Sequence, residues 1–413
     1  MADAMRSTLE FTIVPATGGL TAPGGFTSAS LHVGIKPSAA KLDLAVIAAE
    51  RVVSAAGIFT TNLAQAAPVL VSKEHLAHTK GHARAVVVNS GCANACTGDN
   101  GMAHARRMTA DVAAALGCAP EDVLVASTGV IGVALPIDKV SAGIRQATSA
   151  LTRGKGSDVA QAIMTTDPFP KEHAVTVQTG RGSFTVGGTA KGSGMIEPNM
   201  ATMLGFLTTD ADVAPALLNR ALVESAKDTF NAITVDGECS TNDCLLALAS
   251  GVSGVAVDEE TYPALLEAFL AVSRALAIGI VRGGEGATKL IAVNVHDART
   301  ENDARQVART IANSPLVKTA VHGADPNWGR IVAAAGRSGV TFDVGRATVH
   351  LGGVLLFEHG LPHDDAAPQA AEHLKQTDVR IDISLGTGGT GKATIWTCDL
   401  SAEYVRINGE YRT

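Results

Sequence analysis

The stretch Lys191–Asp210, KGSGMIEPNMATMLGFLTTD, decides how this chain is read. A Gly-rich approach passes Pro198 and Asn199 and delivers Thr202 to the start of an apolar run, MLGFL. Glycine and proline set a turn, and the run after them has the composition of a buried strand. Taken by spacing alone, this is first of all a glycine turn before an ordinary strand. A second reading gives it chemistry. If the Ala201–Thr202 bond is cut, Thr202 carries a free α-amine beside its own hydroxyl. An amine of pKa about 7.7–8.0 is a competent base near neutral pH, so one residue would supply nucleophile and base.

The rest of the chain gives that stretch a large frame. Its 413 residues are 46% hydrophobic and 18% charged, enough for two or three domains or one large intertwined one. A formal charge of -7 opposes a nucleic-acid backbone as partner, and 4% aromatic residues leave few platforms for stacking single strands. No run of 18 apolar residues occurs, so no membrane span is expected. The N-terminal TIVPATGGLTAPGGF lacks the unbroken apolar core of a signal peptide, and a cytoplasmic protein is expected. Six dispersed cysteines (Cys92, Cys96, Cys118, Cys239, Cys244, Cys398) suit reduced thiols rather than a disulfide framework. The histidines offer no helical pair with a third ligand, so no metal is expected.

Short β-branched runs alternate with Ala-rich runs of helical spacing along the whole length. Strands are expected at 44–48, 52–59, 67–71, 85–89 and 123–126, each brief and bounded by turn residues. Helices are expected at 103–116, closed by Gly117, and at 140–151, 159–164, 214–230, 259–278 and 303–313. Strands at 290–295, 348–357, 379–385 and 392–398 would close the chain, with exposed loops at 154–157 and 359–369. Mixed elements in both halves imply layered α/β packing, helices covering sheets.

Several motifs carry chemistry. GTGGTGK, Gly386–Lys392, has P-loop spacing, but Ala393 replaces the metal-holding hydroxyl and a β-like ATIWTCDL follows where a helix is required. A hairpin turn is the better reading, and nucleotide sensing is rejected. STGVIG, Ser127–Gly132, sets a Thr hydroxyl and a glycine amide at a strand end, a pair able to donate to an oxyanion. In IMTTDPFPK the paired Thr165 and Thr166 would line a pocket or fix a turn. GGEGATK sets Glu285 among glycines as a receptor for an ammonium or as a solvated loop residue. In DPNWGR, a helix cap with Trp328 packed on the core is expected.

Together these stretches resemble the ornithine acetyltransferase (glutamate N-acetyltransferase) family of arginine biosynthesis. The matching pieces include NSGCANACTG, STGVIG, AIMTTDPFPK, KGSGMIEPNMATML, DGECSTND, GEGATK, NSPLVKTAVHGADPNWGR and CDLSAEYVRINGEYRT, in family order from the first hundred residues to the last. The resemblance implies self-cleavage between Ala201 and Thr202, giving an α chain of residues 1–201 and a β chain of 202–413. It implies an αββα-layered α/β fold, similar to Ntn hydrolases in architecture but different in connectivity. It gives Thr202 as nucleophile, Thr128 and Gly129 as oxyanion hole, and Thr165, Lys191, Glu285, Asn408 and Thr413 as substrate-binding residues; between Thr165 and Thr166 the choice stays open. No cofactor is implied, acetyl-CoA is open as a second acetyl donor, and the cleaved αβ units would pair as dimers. One departure is Glu197, where many relatives carry a small residue or His.

The implied reaction has a chemical logic. Acetyl transfer between two amines has little thermodynamic drive, so a threonine ester intermediate divides it into two steps. Thr202 would take the acetyl from N-acetylornithine, ornithine would leave, and glutamate would accept it. Lys191 would hold a substrate carboxylate and Glu285 an ammonium, or the two would pair with each other in the empty site. The alternative from the same residues is a self-activated amidase or aminopeptidase, with water as acceptor.

Overall fold

The computed structural model describes residues 10–197 and 203–410, so the expectations on Ala201, Thr202 and Thr413 lie outside the described residues. The strands β1 (Phe11–Pro15) and β2 (Phe26–Leu31) precede the long β3 (Leu44–Phe59). Next come α1 (Ala67–His78), β4 (His82–Cys92), α2 (Gly98–Leu116), β5 (Val123–Val130), α3 (Ile137–Ser149) and α4 (Gly156–Ala162). The hairpin of β6 (Lys171–Thr179) and β7 (Gly182–Lys191) leads to β8 (Leu204–Thr209), β9 (Asp212–Val213) and α5 (Pro215–Lys227). Then follow β10 (Cys244–Ala249), β11 (Ala256–Val257) and α6 (Tyr262–Arg282). The remainder opens with β12 (Leu290–Ala298), α7 (Glu301–Ala312), α8 (Pro315–His322) and α9 (Trp328–Gly336). It closes with β13 (Thr348–Leu351), β14 (Val354–Glu358), β15 (Leu361–Pro362), α10 (Ala367–Leu374), β16 (Asp378–Ser384), β17 (Gly391–Cys398) and α11 (Ala402–Glu410).

Nine strands form one sheet, ordered β1-β6-β7-β8-β10-β3-β4-β5, with β2 also paired to β3. The strand β3 serves two layers. Its first half pairs with β2 and β4, its second half with β10, and its register on β4 shifts between Ala48 and Val53. Such an irregularity bends a strand, and side chains of alternate parity then meet different cores. Leu44, Val46, Val87 and Val125 face Val71, Met108 and Ile144 of α1, α2 and α3. Ala45, Ile47, Val88 and Leu124 point the other way and meet Leu204, Phe206, Leu246 and Leu248. The far side of β8 and β10, with Leu207 and Leu245, packs on Leu222 of α5 and on Phe269 and Leu276 of α6. The result is helix, sheet, sheet, helix, the expected αββα order.

A second sheet of six strands runs β15-β14-β13-β16-β12-β17. One face is covered by α7 to α10, where Val307, Ile311, Val321 and Leu374 meet Val293, Ile381 and Ile383.

Several local expectations are corrected. Residues 67–71 open the helix α1 rather than form a strand, with Pro68 in the first turn, where its missing N–H costs no helical bond. Residues 44–48 and 52–59 are one strand, and 348–357 is a hairpin turned by Gly352 and Gly353, both at positive φ. The stretch 154–157 is loop only as far as Gly156, which opens α4, and α10 begins within 359–369. GTGGTGK is neither a P-loop nor a hairpin. It carries the chain from β16 across the end of β12 to β17, and a Cβ at Gly389 would lie 2.1 Å from the Ala298 carbonyl oxygen. The helix α6 is long and apolar enough to cross a membrane, but Leu265, Phe269, Val272, Leu276 and Ile280 are buried in the core, which accounts for its composition.

Phe206 is 1% exposed between the two sheet layers. Phe206→Ala should cost about 3–5 kcal/mol by removing a buried ring and leaving a cavity. A clear drop in unfolding midpoint checks this, and an unchanged midpoint would contradict the four-layer packing.

Candidate active site

Three strand ends meet at the head of β8. On one side Leu204 pairs with Lys191, the last residue of β7. On the other it pairs with Cys244, the first residue of β10, whose N–H reaches the Met203 carbonyl at 3.0 Å. Lys191 and Asp243 thus flank the start of one buried strand. Beside them opens a cleft of about 130 Å³, whose walls include Thr128, Gly129, Thr165, Thr166, Glu285 and Asn408.

The Thr128–Gly129 wall is built by backbone geometry. Gly129 has φ of 126°, and a Cβ there would stand 2.4 Å from the Gly91 carbonyl carbon, so only glycine fits. Asn89 secures the turn: its Oδ1 accepts from the Ser127 hydroxyl at 2.6 Å and its Nδ2 donates to the Cys92 carbonyl at 2.9 Å. Asn242 ties this end to the head of β10, its Nδ2 donating to the carbonyls of Ala93 and Ser127 at 2.6 and 2.8 Å.

The MTTD wall turns on Asp167. Its carboxylate accepts from the N–H of Thr165 at 3.0 Å, the N–H of Gly192 at 2.8 Å and the Lys171 ammonium at 2.6 Å. One buried anion therefore fixes the threonine turn, the chain after Lys191 and the start of β6. Burial alone would raise the Asp167 pKa, but Lys171 and Lys191 outweigh it and hold the carboxyl below its ordinary range.

The opposite wall comes from the C-terminal half. Glu285 lies over Gly194, where a Cβ would fall 2.4 Å from its Oε2, and it accepts from Asn408 Nδ2 at 2.7 Å. Asp236 accepts the N–H groups of Met195 and Ile196 at 2.7 and 2.8 Å, and the Tyr404 hydroxyl donates to it at 3.2 Å. Met195, at φ of 55°, is a non-glycine residue held left-handed by these bonds. Among the described residues, the Lys191 ammonium makes no hydrogen bond, and no ion pair joins it to Glu285.

The expected site residues Thr128, Gly129, Thr165, Lys191, Glu285 and Asn408 are therefore gathered at one cleft, with Thr166 beside Thr165. Asp167, Asp236, Asn242, Asp243 and Tyr404 carry no role in the sequence reading, although each lies in one of the family-like stretches AIMTTDPFPK, DGECSTND and CDLSAEYVRINGEYRT. Other family-like motifs brace the site. Lys318, 4% exposed, donates to the Val235 carbonyl and Thr397, while Asn313 bonds Glu197 and Thr234. In DPNWGR, Asn327 caps α9 and Trp328 stacks on Phe357 at 5.1 Å, as expected. Among the described residues no cluster of His, Cys, Asp and Glu has the makings of a metal site.

The chain is similar to known proteins over most of its length. The ArgJ family profile matches residues 27–413. The "Arginine biosynthesis bifunctional protein ArgJ" of Symbiobacterium thermophilum is 50% identical over 402 residues, covering 96% of this chain and 99% of its own. The protein of the same description from Dehalococcoides mccartyi is 48% identical and covers 99% of this chain and all of its own. Among solved structures, the argJ protein of Bacillus halodurans is 40% identical, covering 51% of this chain and 100% of its own at a TM-score of 0.49. An ornithine acetyltransferase of Mycobacterium tuberculosis, crystallised with ornithine, is 42% identical, with 46% and 100% covered and a TM-score of 0.42.

The buried Asp167–Lys171 pair yields a pH prediction. A carboxyl whose folded pKa is depressed stabilises above its unfolded pKa, about 3.9, and loses that contribution as pH falls through the folded value. Asp167→Asn leaves a buried lysine unmatched and should cost about 3–5 kcal/mol at pH 7. Unfolding midpoints of both proteins should converge as the pH falls below about 4; a gap constant with pH would refute the assignment.

Proposed function

The chain belongs to the ArgJ family of arginine biosynthesis proteins, and from this we propose that the cleft at the head of β8 passes an acetyl group from N-acetylornithine to glutamate. The protein is an acetyltransferase; its nucleophile and the role of each cleft residue are our reading. One observation carries it. Six residues expected from separate motifs, spread from Thr128 to Asn408, line one small cleft beside the strand that Thr202 precedes by two positions.

In this reading the chain cuts itself at Ala201–Thr202, and the freed amine serves as base for the Thr202 hydroxyl. The hydroxyl attacks the acetyl carbonyl, and Thr128 and Gly129 donate to the developing oxyanion. Ornithine departs with the proton, glutamate enters, and its amine takes the acetyl from the threonine ester while the hydroxyl regains a proton. Lys191, uncommitted among the described residues, receives a substrate carboxylate. Glu285, oriented by Asn408, faces the ornithine ammonium. Cleavage would not part the two pieces, because β8 and β10 pair inside the first sheet with β7 and β3. Acetyl-CoA as a second donor, a cytoplasmic location, a contribution from Thr413 and pairing of cleaved units as a dimer belong to the same reading.

The active protein should run on a denaturing gel as two bands, each about half of the intact 42.1 kDa, the second beginning Thr-Met-Leu. Thr202→Ala should stay whole and inactive. Thr128→Val should lower kcat about 10²–10³-fold, and Lys191→Met should raise KM about 10–100-fold, the range of a charged hydrogen bond. Release of acetate instead of N-acetylglutamate from the two substrates would replace transferase by hydrolase.

A further inference from the structure

Acetyl transfer leaves a buried ionisable group of the cleft, Asp243, without a task. Asp243 lines the cleft, is 4% exposed, and among the described residues its Oδ2 is buried without a hydrogen-bond partner. Leaving such an atom unpaired is costly, and a buried polar atom without a partner calls for a functional or structural reason. Lys191 is its complement, an ammonium with no hydrogen bond among the described residues. The two sit on neighbours of the same strand, at the ends of β7 and before β10, on either side of Leu204. They act on each other through space without forming an ion pair.

We propose that Asp243 is a positioning residue acting through Lys191: its carboxylate is a counter-charge that, with Asp167, keeps the Lys191 ammonium cationic and available to a substrate carboxylate. This rests on the reading of Lys191 given above. The other charges around Lys191 are already engaged or of the wrong sign. Asp167 draws the Lys191 pKa up more than Asp243 does, but its oxygens are bound to Lys171, Thr165 and Gly192, and Glu285 is bound to Asn408. Lys171 and the more distant Lys36 repel it. Among the described residues, Asp243 is stabilised by Lys191 and by Ser240. Burial pushes the Lys191 pKa down and the Asp243 pKa up, and each draws the other back towards its charged form.

The sign of the test follows. Removing the negative charge lowers the Lys191 pKa further, so the ammonium is lost at a lower pH. Steady-state kinetics with N-acetylornithine and glutamate would compare wild type with Asp243→Asn from about pH 6 to pH 10, spanning the ordinary and lowered lysine ranges. The alkaline limb of kcat/KM should move down by about one pH unit, a tenfold change in the affected range carried by KM rather than kcat. Adding Lys191→Arg to Asp243→Asn should abolish the shift, since a guanidinium does not titrate there. Asp243→Glu, which keeps the charge, should keep the wild-type limb and serves if Asp243→Asn fails to fold. An unmoved limb in Asp243→Asn, a limb moved equally in Asp243→Glu, or a kcat loss equal at every pH would overturn the proposal. If Lys191→Met leaves KM unchanged, the earlier reading of Lys191 fails; if it raises KM while the limb stays put, only the present inference fails.

Discussion

The structure depends on the double pairing of β8. That strand is bonded to β7 on one side and to β10 on the other, so the residues that flank its head are fixed by backbone register. Side-chain rotamers then have little left to decide. Lys191 is paired with Leu204, Asp243 stands one step before Cys244, which is paired with Leu204 from the other side, and both line the cleft. Strands position groups better than loops do, since their own atoms are held by packing on both faces. Here Leu204 and Phe206 fill the layer between sheets, while Met203 and Leu207 face the helices.

Around that strand, buried charge replaces bulk. Asp167, Asp236 and Asp399 each bind two or more backbone N–H groups of turns that border the cleft or support it. A carboxylate in such a role is a rigid staple, because its acceptor positions are all engaged and burial makes any vacancy costly. Lys318 does the converse with carbonyl and hydroxyl oxygens beneath Asp236. The cleft walls are therefore stiff, although glycines form much of their backbone.

The layered fold was legible where periodicity matched burial. Helices such as α2, with Gly117 left-handed at its end, and strands such as β4 and β17 could be read directly. The reading failed where one pattern served two purposes. Residues 67–71 are as apolar as a strand because α1 buries them, and the β6–β7 hairpin is too polar and too glycine-rich to announce itself. At the site, Thr128, Gly129, Lys191 and Glu285 were accessible through motif likeness. Asp243 ends the family-like DGECSTND but carries no role there, because an acid before an apolar run reads as a solvated cap until the register of β10 on β8 puts it indoors.

The last helix bears on the order of assembly. α11 follows every other element of the fold in chain order, yet it supplies Asn408 to Glu285 and Tyr404 to Asp236. During synthesis the nine-stranded sheet can close, and its hydrophobic layers fill, before either contact exists. One flank of the cleft thus waits until α11 has been made. Folding and competence are in this way separated in time, and a nascent chain has its architecture before it has a completed reaction chamber.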